Sequence, residues 1–227
     1  MLTPYPTVLG ERETLDLVLA GRSLARYGDG EFHLCAGQPA KAQAFAPRLR
    51  DRLQMGLATS GDCLIGIPNI RSKTPKSVFW QAQAPRALRF LVSGREYVSS
   101  FITRPDSAPW IHTADYWGAL ELLWQDRDVT LVHGGRHGLT ASDLSSATVV
   151  HDIVAPERDA WADYDGLLKA IGTPARALLC LGPTATVLAV DLSARGVHAI
   201  DLGHVGLFLR KARRGQPMAL TPGDRAA

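Results

Sequence analysis

Ala177-Leu178-Leu179-Cys180-Leu181 runs into Gly182-Pro183-Thr184, and then into a segment with Ala185, Leu188, Ala189 and Leu192 on one side, stopped by Gly196. A short unbroken apolar run reads as a strand buried on both faces. Apolar residues three and four apart read as the stripe of a covering helix. Working outward, the same alternation recurs. Leu24 to Tyr27, Cys63 to Ile67, Val129 to Val132, Val149 to Val154 and His198 to Leu202 predict further strands. Leu15/Val18/Leu19, Leu49/Leu53/Leu57, Leu120/Leu123/Trp124 and Tyr164/Leu167/Leu168/Ile171 predict helix faces. Pro85 is expected to break any helix that begins near Lys76, and Tyr97 to Thr103 is ambiguous between strand and helix. Strands alternating with helices point to an α/β protein, a single domain with a mostly parallel sheet covered by helices on both faces.

In such sheets ligands bind beyond the carboxyl ends of the strands, so the turns that follow strands are the places to look. After the first strand comes Gly28-Asp29-Gly30-Glu31. If the backbone there is extended, side chains two apart point the same way. Asp29 and Glu31 then converge on one hard divalent cation, Mn2+ or Mg2+, which prefers oxygen ligands. Gly28 and Gly30 would allow a positive φ and close approach to a ligand. Taken alone, an acid beside a glycine is first of all a turn former. Arg26, Arg104 and Arg136 are candidates for diphosphate contacts, because a guanidinium fork matches phosphate oxygens, and each serves equally well as an ion-pair partner. Gly182-Pro183-Thr184 precedes a helix whose N-terminus can bind an anion; its plain reading is a connection with Thr184 as N-cap. His133 to Gly138 is a glycine-rich loop of the kind that cradles phosphates through backbone N–H groups. Trp117, Trp124 and Trp161 are read as core.

At 227 residues, with 46% hydrophobic and 21% charged content, the chain can bury a full core and has the balance of a globular protein. Cys35, Cys63 and Cys180 are too few and too widely spaced for a disulfide framework or a zinc site. The N-terminal stretch lacks a signal-peptide pattern and no apolar run reaches membrane-spanning length, so a cytoplasmic location is expected. The formal charge is only +3, and Arg210, Lys211, Arg213 and Arg214 supply much of the positive charge near one end. Such a cluster can favour anionic lipid or nucleic acid, but it is more often a solvated tail, and no nucleic-acid partner is expected. We read residues 1–209 as the folded domain and 210–227 as a basic, frayed tail, with peripheral membrane contact through it left open.

Five segments in this order resemble the GT-D-type glycosyltransferases, a bacterial family first described as a domain of unknown function. They are Arg26 to Glu31, Ser100 to Pro105, Pro156 to Tyr164, Leu181 to Ala189 and Ala199 to His204. The resemblance implies a Rossmann-like fold and metal-dependent transfer of a sugar from a UDP-sugar donor. The acceptor would be a glycan or glycoprotein in bacterial surface polysaccharide or glycoprotein assembly. It maps the family's Asp-x-Glu motif onto Asp29 and Glu31, and its glycine-histidine motif onto Gly203 and His204. In the family that histidine is followed by several acids, one of them needed for activity. Here Val205-Gly206-Leu207-Phe208-Leu209-Arg210 contains no carboxylate. The general base therefore comes from elsewhere, with Asp201 and Asp159 as candidates, or the acceptor chemistry differs, or the chain is a non-catalytic nucleotide-sugar-binding domain. A metal-dependent phosphoesterase using the same Asp29 and Glu31 is the other enzyme class that these residues allow.

Overall fold

The computed structural model describes residues 4–58, 61–71, 76–108 and 114–220. Every apolar run named above lies in the sheet. Its strands are β1 (Leu24–Arg26), β2 (Leu64–Ile67), β3 (Val98–Ser99), β4 (Asp128–His133), β5 (Thr148–Val154), β6 (Arg176–Cys180) and β7 (His198–Asp201). They form one seven-stranded sheet in the order β3-β2-β1-β7-β6-β4-β5, and all pairings are parallel. The helices are α1 (Glu11–Leu19), α2 (Asp29–Cys35), α3 (Pro47–Ala58), α4 (Ser77–Leu88), α5 (Ala114–Glu121), α6 (Tyr164–Ile171), α7 (Pro183–Ser193) and α8 (Val205–Arg213).

Strand residues alternate between two separate cores, as the two-residue period of a strand requires. Leu179 and Ala199 join the core made with Leu49, Leu53 and Leu57 of α3, Leu167 of α6 and Leu188 of α7. Their neighbours Leu178 and Ile200 join the opposite core, with Leu15 of α1, Leu120 of α5 and Leu209 of α8. Trp124 and Trp161 are buried core residues, as expected, and so are all three cysteines, which are unpaired thiols.

Three local expectations change. Helix α4 runs through Pro85. The carbonyl that loses its donor there is that of Gln81; both Gln81 and Pro85 are exposed, so water can replace the bond, while Ala84 and Ala87 hold the inner face in the core. The ambiguous stretch 97–103 is a two-residue strand followed by turns. The proposed boundary at residue 209 falls inside α8, where Phe208 and Lys211 are both buried and Lys211 Nζ donates to Ala219 O at 2.8 Å. The remainder of the proposed tail, residues 221–227, lies outside the described residues. Among the described residues no helix is long and apolar enough to cross a membrane.

His198, at the start of β7, supplies a pH prediction remote from any site. Its Nε2 lies 3.1 Å from Arg22 O, and burial, reinforced by the nearby Arg176 cation, pushes its pKa down to about 4. The unfolded chain takes up a proton near pH 6.5 that the folded chain refuses. Stability is therefore fully present above that pH and falls as pH drops from about 6.5 toward 4. The expected loss is about 2 kcal/mol, after discounting for the part of the ring that water still reaches. Urea unfolding at pH 7 and pH 4.5, compared with His198→Asn, should show a shallower acid slope in the variant.

Candidate functional site

Leaving β1, the chain goes first to β2 and β3 on one side of it, and later fills the other side with β4 to β7. The order reverses between β1 and β7, and the crevice at such a reversal is where α/β sheets bind ligands. Gly28 to Glu31 follow β1 there, and Gly203-His204 follow β7.

The floor of the crevice is an ion pair. Arg26 Nη2 meets Asp201 Oδ1 at 3.2 Å, with side-chain exposures of 10% and 4%. Arg26 Nε donates to Asp201 O at 2.7 Å, and Nη1 donates to Ser100 O at 3.1 Å and to Thr103 Oγ1. The Asp201 carboxylate also accepts from the backbone N–H of Gly203 at 3.1 Å and of Arg26 at 3.3 Å. Burial raises the Asp201 carboxyl above its ordinary range, and the Arg26 guanidinium opposes that rise. These two residues were candidates for a diphosphate contact and a general base. The geometry assigns them to each other instead. Gly203 has φ +51, and a Cβ there would overlap Arg26 Nη2. The glycine of the glycine-histidine pair is thus what lets the guanidinium lie across the end of β7.

Asp29 and Glu31 stand in the first turn of α2, with Gly28 as N-cap at φ −119. Neither Gly28 nor Gly30 has a positive φ; Gly30 instead packs near Ala40 and Pro183. On a helix, residues two apart are rotated by about 200°, so the shared direction expected from extended backbone does not hold. Glu31 turns back, and its Oε2 accepts from the Gly28 N–H at 2.7 Å, closing a capping box. Asp29 is exposed. Burial pushes the Glu31 carboxyl up to about 7, and the negative charges of Asp201 and Asp29 add to the shift.

A positive group faces these acids. Arg104 grips Asp106 with Nε at 2.8 Å and Nη2 at 2.9 Å, and Lys76 Nζ contacts the same carboxylate. Despite its burial, Asp106 is held down to about 2 by its bonds to Arg104 and Lys76. Two cations on one carboxylate leave a net positive charge. Arg104 stands in the field of Asp29 and Glu31 on one side, and it depresses the pKa of His204 on the other.

His204 is the N-cap residue of α8, and its ring centroid lies 5.2 Å from that of His137. Desolvation in the cleft, together with the Arg104, His137 and Arg26 charges, pushes its pKa down to about 3. The His204 side chain also reaches solvent and is exposed. The imidazole is neutral at pH 7. His204, His137, Gly138, Glu157, Cys180 and Gly182 are among the residues around an open cleft at the ends of β4, β6 and β7. Gly182 is the N-cap of α7 at φ +58, with Pro183 at the first helical position. Thr184 is therefore not the N-cap. It is fully buried, and its Oγ1 lies 3.4 Å from Gln43 Oε1. Arg136 lines a neighbouring basic groove with Arg210 and Arg214, not this cleft.

The family pattern described as glycosyltransferase GT-D fold matches residues 24–217. This chain belongs to the GT-D glycosyltransferase family. Similar proteins include the probable glycosyl transferase Gly of Streptococcus gordonii, 32% identical over 220 residues that cover 88% of this chain and 32% of that protein. The glycosyltransferase GlyD of Streptococcus pneumoniae serotype 4 is 29% identical over 216 residues, covering 87% and 26%. The chain thus spans about a third or less of the length of these curated relatives. A solved structure described as the highly conserved domain of unknown function 1792, with a distinct glycosyltransferase fold, superposes with a TM-score of 0.83. It is 30% identical and covers 92% of this chain and 82% of its own. A glycosyltransferase from Streptococcus sanguinis gives a TM-score of 0.79 at 27% identity, covering 92% and 86%.

A hard divalent cation held in this GT-D chain would have to take its protein oxygens from two carboxylates that point in different directions on α2. Asp29 is exposed, and Glu31 keeps its second oxygen, Oε1, beyond the capping bond. Among the described residues no cluster of three or more potential ligands gathers. Mg2+ commonly binds through one or two carboxylates and completes its shell with water and substrate phosphate. Asp29 and Glu31 Oε1 could serve only a cation of that kind, and not one held in an all-protein cage.

Sequence reasoning missed Asp106, Thr103, Thr186 and Gln43. Thr186 Oγ1 lies 2.9 Å from Arg26 O and 3.3 Å from Asp201 Oδ2. Only Asp106 carried a signal, two residues after Arg104; the others depend on contacts between distant segments. Gly206 is a further position of consequence. A Cβ there would overlap the Gly138 carbonyl and lie 2.8 Å from Leu139 N, while Leu207 N–H donates to His137 O at 3.1 Å. Gly206→Ala should force α8 off the loop that carries His137, at about 1–3 kcal/mol, read by urea unfolding.

Proposed function

We propose that the chain transfers a glycosyl group from a UDP-sugar to a glycan or glycoprotein acceptor, using a divalent cation, Mn2+ or Mg2+, held by Asp29 and Glu31. One observation carries the reading: two acids and the net-positive Lys76–Asp106–Arg104 group meet at the β1/β7 reversal of a GT-D fold. When bound, the cation would act as a Lewis acid offsetting charge on the departing diphosphate. Arg104, fixed in orientation by Asp106, supplies a second positive contact for that diphosphate. Gly182, the N-cap of α7, lines the cleft and sets the positive end of that helix near it, which favours an anion. The neutral His204 imidazole presents a hydrogen-bonding group to the donor or acceptor without adding charge. The naming of the Streptococcus relatives as glycosyltransferases supports the reaction class. Action in the cytoplasm and in surface-glycan assembly are parts of the same proposal.

The test is a thermal-shift screen with UDP and with UDP-glucose, UDP-galactose and UDP-N-acetylglucosamine, each with and without Mn2+, followed by assay of free UDP. A ligand that binds only the folded state at a hundred times its Kd adds about 2.7 kcal/mol of stability. Stabilisation by UDP that needs Mn2+, with UDP released from one of the sugars, is the expected result. No UDP-dependent shift under any condition would defeat the proposal. One specific observation favours a second reading. The first turn of α8 offers buried Val205 and Phe208 where a base was expected. Metal-dependent UDP binding with no turnover would make the chain a nucleotide-sugar-binding domain. Phosphate release from phosphoesters would make it a phosphoesterase.

A further inference from the structure

We propose that Glu157 is the general base that activates the acceptor hydroxyl, an inference that rests on the transferase reading above. Among the described residues, the other carboxylates around the crevice are engaged or have another role. Asp201 is buried against Arg26, and Asp106 is shared by Arg104 and Lys76. Asp159, the other base considered from sequence, has a left-handed backbone at φ 55, and its Oδ1 accepts from the Ala44 N–H. It ties the loop after β5 to the segment before α3. Asp29 and Glu31 are assigned to the cation. Among the described residues, Glu157 is the acid that lines the cleft with His137, His204 and Gly182, and its carboxylate has no hydrogen bond or ion pair there.

The chain is built to seat this side chain. Glu157 lies directly over Gly135, which has φ +65; a Cβ at Gly135 would sit 2.6 Å from Glu157 Cδ and Oε1. A Cβ at Gly134 would sit 2.7 Å from Pro156 O. The paired glycines therefore give close passage to Pro156-Glu157, and this accounts for a glycine loop that the diphosphate does not require.

In the step assigned to it, the Glu157 carboxylate takes the proton of the acceptor hydroxyl as that oxygen bonds to the anomeric carbon of the donor. The bond from that carbon to the diphosphate oxygen breaks, and its electron pair leaves with UDP. The proton on Glu157 then returns to solvent. Water serves as acceptor in the slow hydrolysis of the donor, so the same base is needed there and no particular glycan has to be known.

The experiment compares the wild type with Glu157→Gln, Glu157→Asp and Glu157→Ala. It measures UDP release from the three UDP-sugars with Mn2+ and, in parallel, the Mn2+-dependent thermal shift by UDP. Expected is a fall in kcat of about 100-fold or more for the Gln and Ala variants, with KM for the donor and the UDP shift unchanged. Partial activity in the Asp variant and rescue of the Ala variant by formate are also expected, and a merely structural role would produce neither. Because the side chain is exposed, the variants should fold normally. Gln and Ala rates within about threefold of wild type would overturn the assignment while leaving the transferase reading standing. A wild type that binds UDP without turnover would overturn it too. A wild type that shows no UDP shift would instead remove the transferase reading beneath it.

Discussion

Asp29→Asn lowers UDP release from a UDP-sugar by roughly two orders of magnitude or more, with the unfolding transition unchanged. The size follows from the role proposed for this residue: loss of a cation that neutralises a departing diphosphate removes several kcal/mol of transition-state stabilisation, and each ~1.4 kcal/mol is a factor of ten in rate. Folding is spared because Asp29 is exposed at the first position of α2 and takes no part in the capping box. Glu31→Gln separates the same two properties differently. The amide oxygen keeps the bond to the Gly28 N–H, so α2 still starts where it does. The buried negative charge beside Asp29 and Asp201 is gone. Activity should fall while the melting temperature stays level or rises, the usual exchange at a site kept for function. Parallel calorimetry and UDP-release assays on both variants check this. Near-normal turnover in both would remove the metal role altogether.

The second large effect is on stability. Asp201→Ala leaves the Arg26 guanidinium buried without its counter-charge, and Arg26→Ala strands the Asp201 carboxylate. Breaking a buried pair from one side costs about 3–5 kcal/mol. Gly203→Ala should approach the same loss by a different route, since its Cβ would displace Arg26 Nη2 at a φ of +51 that side chains tolerate poorly. Replacing both partners by apolar residues, Arg26→Met with Asp201→Leu, should recover much of the loss, because no uncompensated charge remains. Urea unfolding of the two single variants and the double variant closes the cycle. Losses below about 1 kcal/mol in both single variants would mean that Arg26 is not the structural clamp described, and would return it to the list of phosphate ligands.

The fold class was legible because strands such as Ala177 to Cys180 are apolar at every position, while Leu49, Leu53 and Leu57 mark a helix with one apolar face. Both patterns are local consequences of burial. Helix α2 was not legible. Its seven residues begin with Asp-Gly-Glu, which reads equally as a turn, and the capping box that decides the matter requires Glu31 to fold back on Gly28. Pro85 misled for the complementary reason, since the cost of its missing N–H depends on whether water reaches the orphaned carbonyl. For Arg26, Asp201 and Thr184, the sequence identified residues at the right ends of strands and helices but could not say which way each side chain turned. Arg26 and Asp201 turned toward each other, and Thr184 turned into the core beside Gln43.

By itself, then, the sequence determined an α/β chain with its chemistry at the carboxyl ends of its strands, because hydrophobic period and turn chemistry act over a few residues. Only the tertiary structure decided that β7 returns to lie beside β1, bringing residues 29 and 204 to one crevice, and that Asp201 is spent on an ion pair. The β1–β7 pairing and the Arg26–Asp201 ion pair join segments more than a hundred residues apart, and no local pattern encodes them.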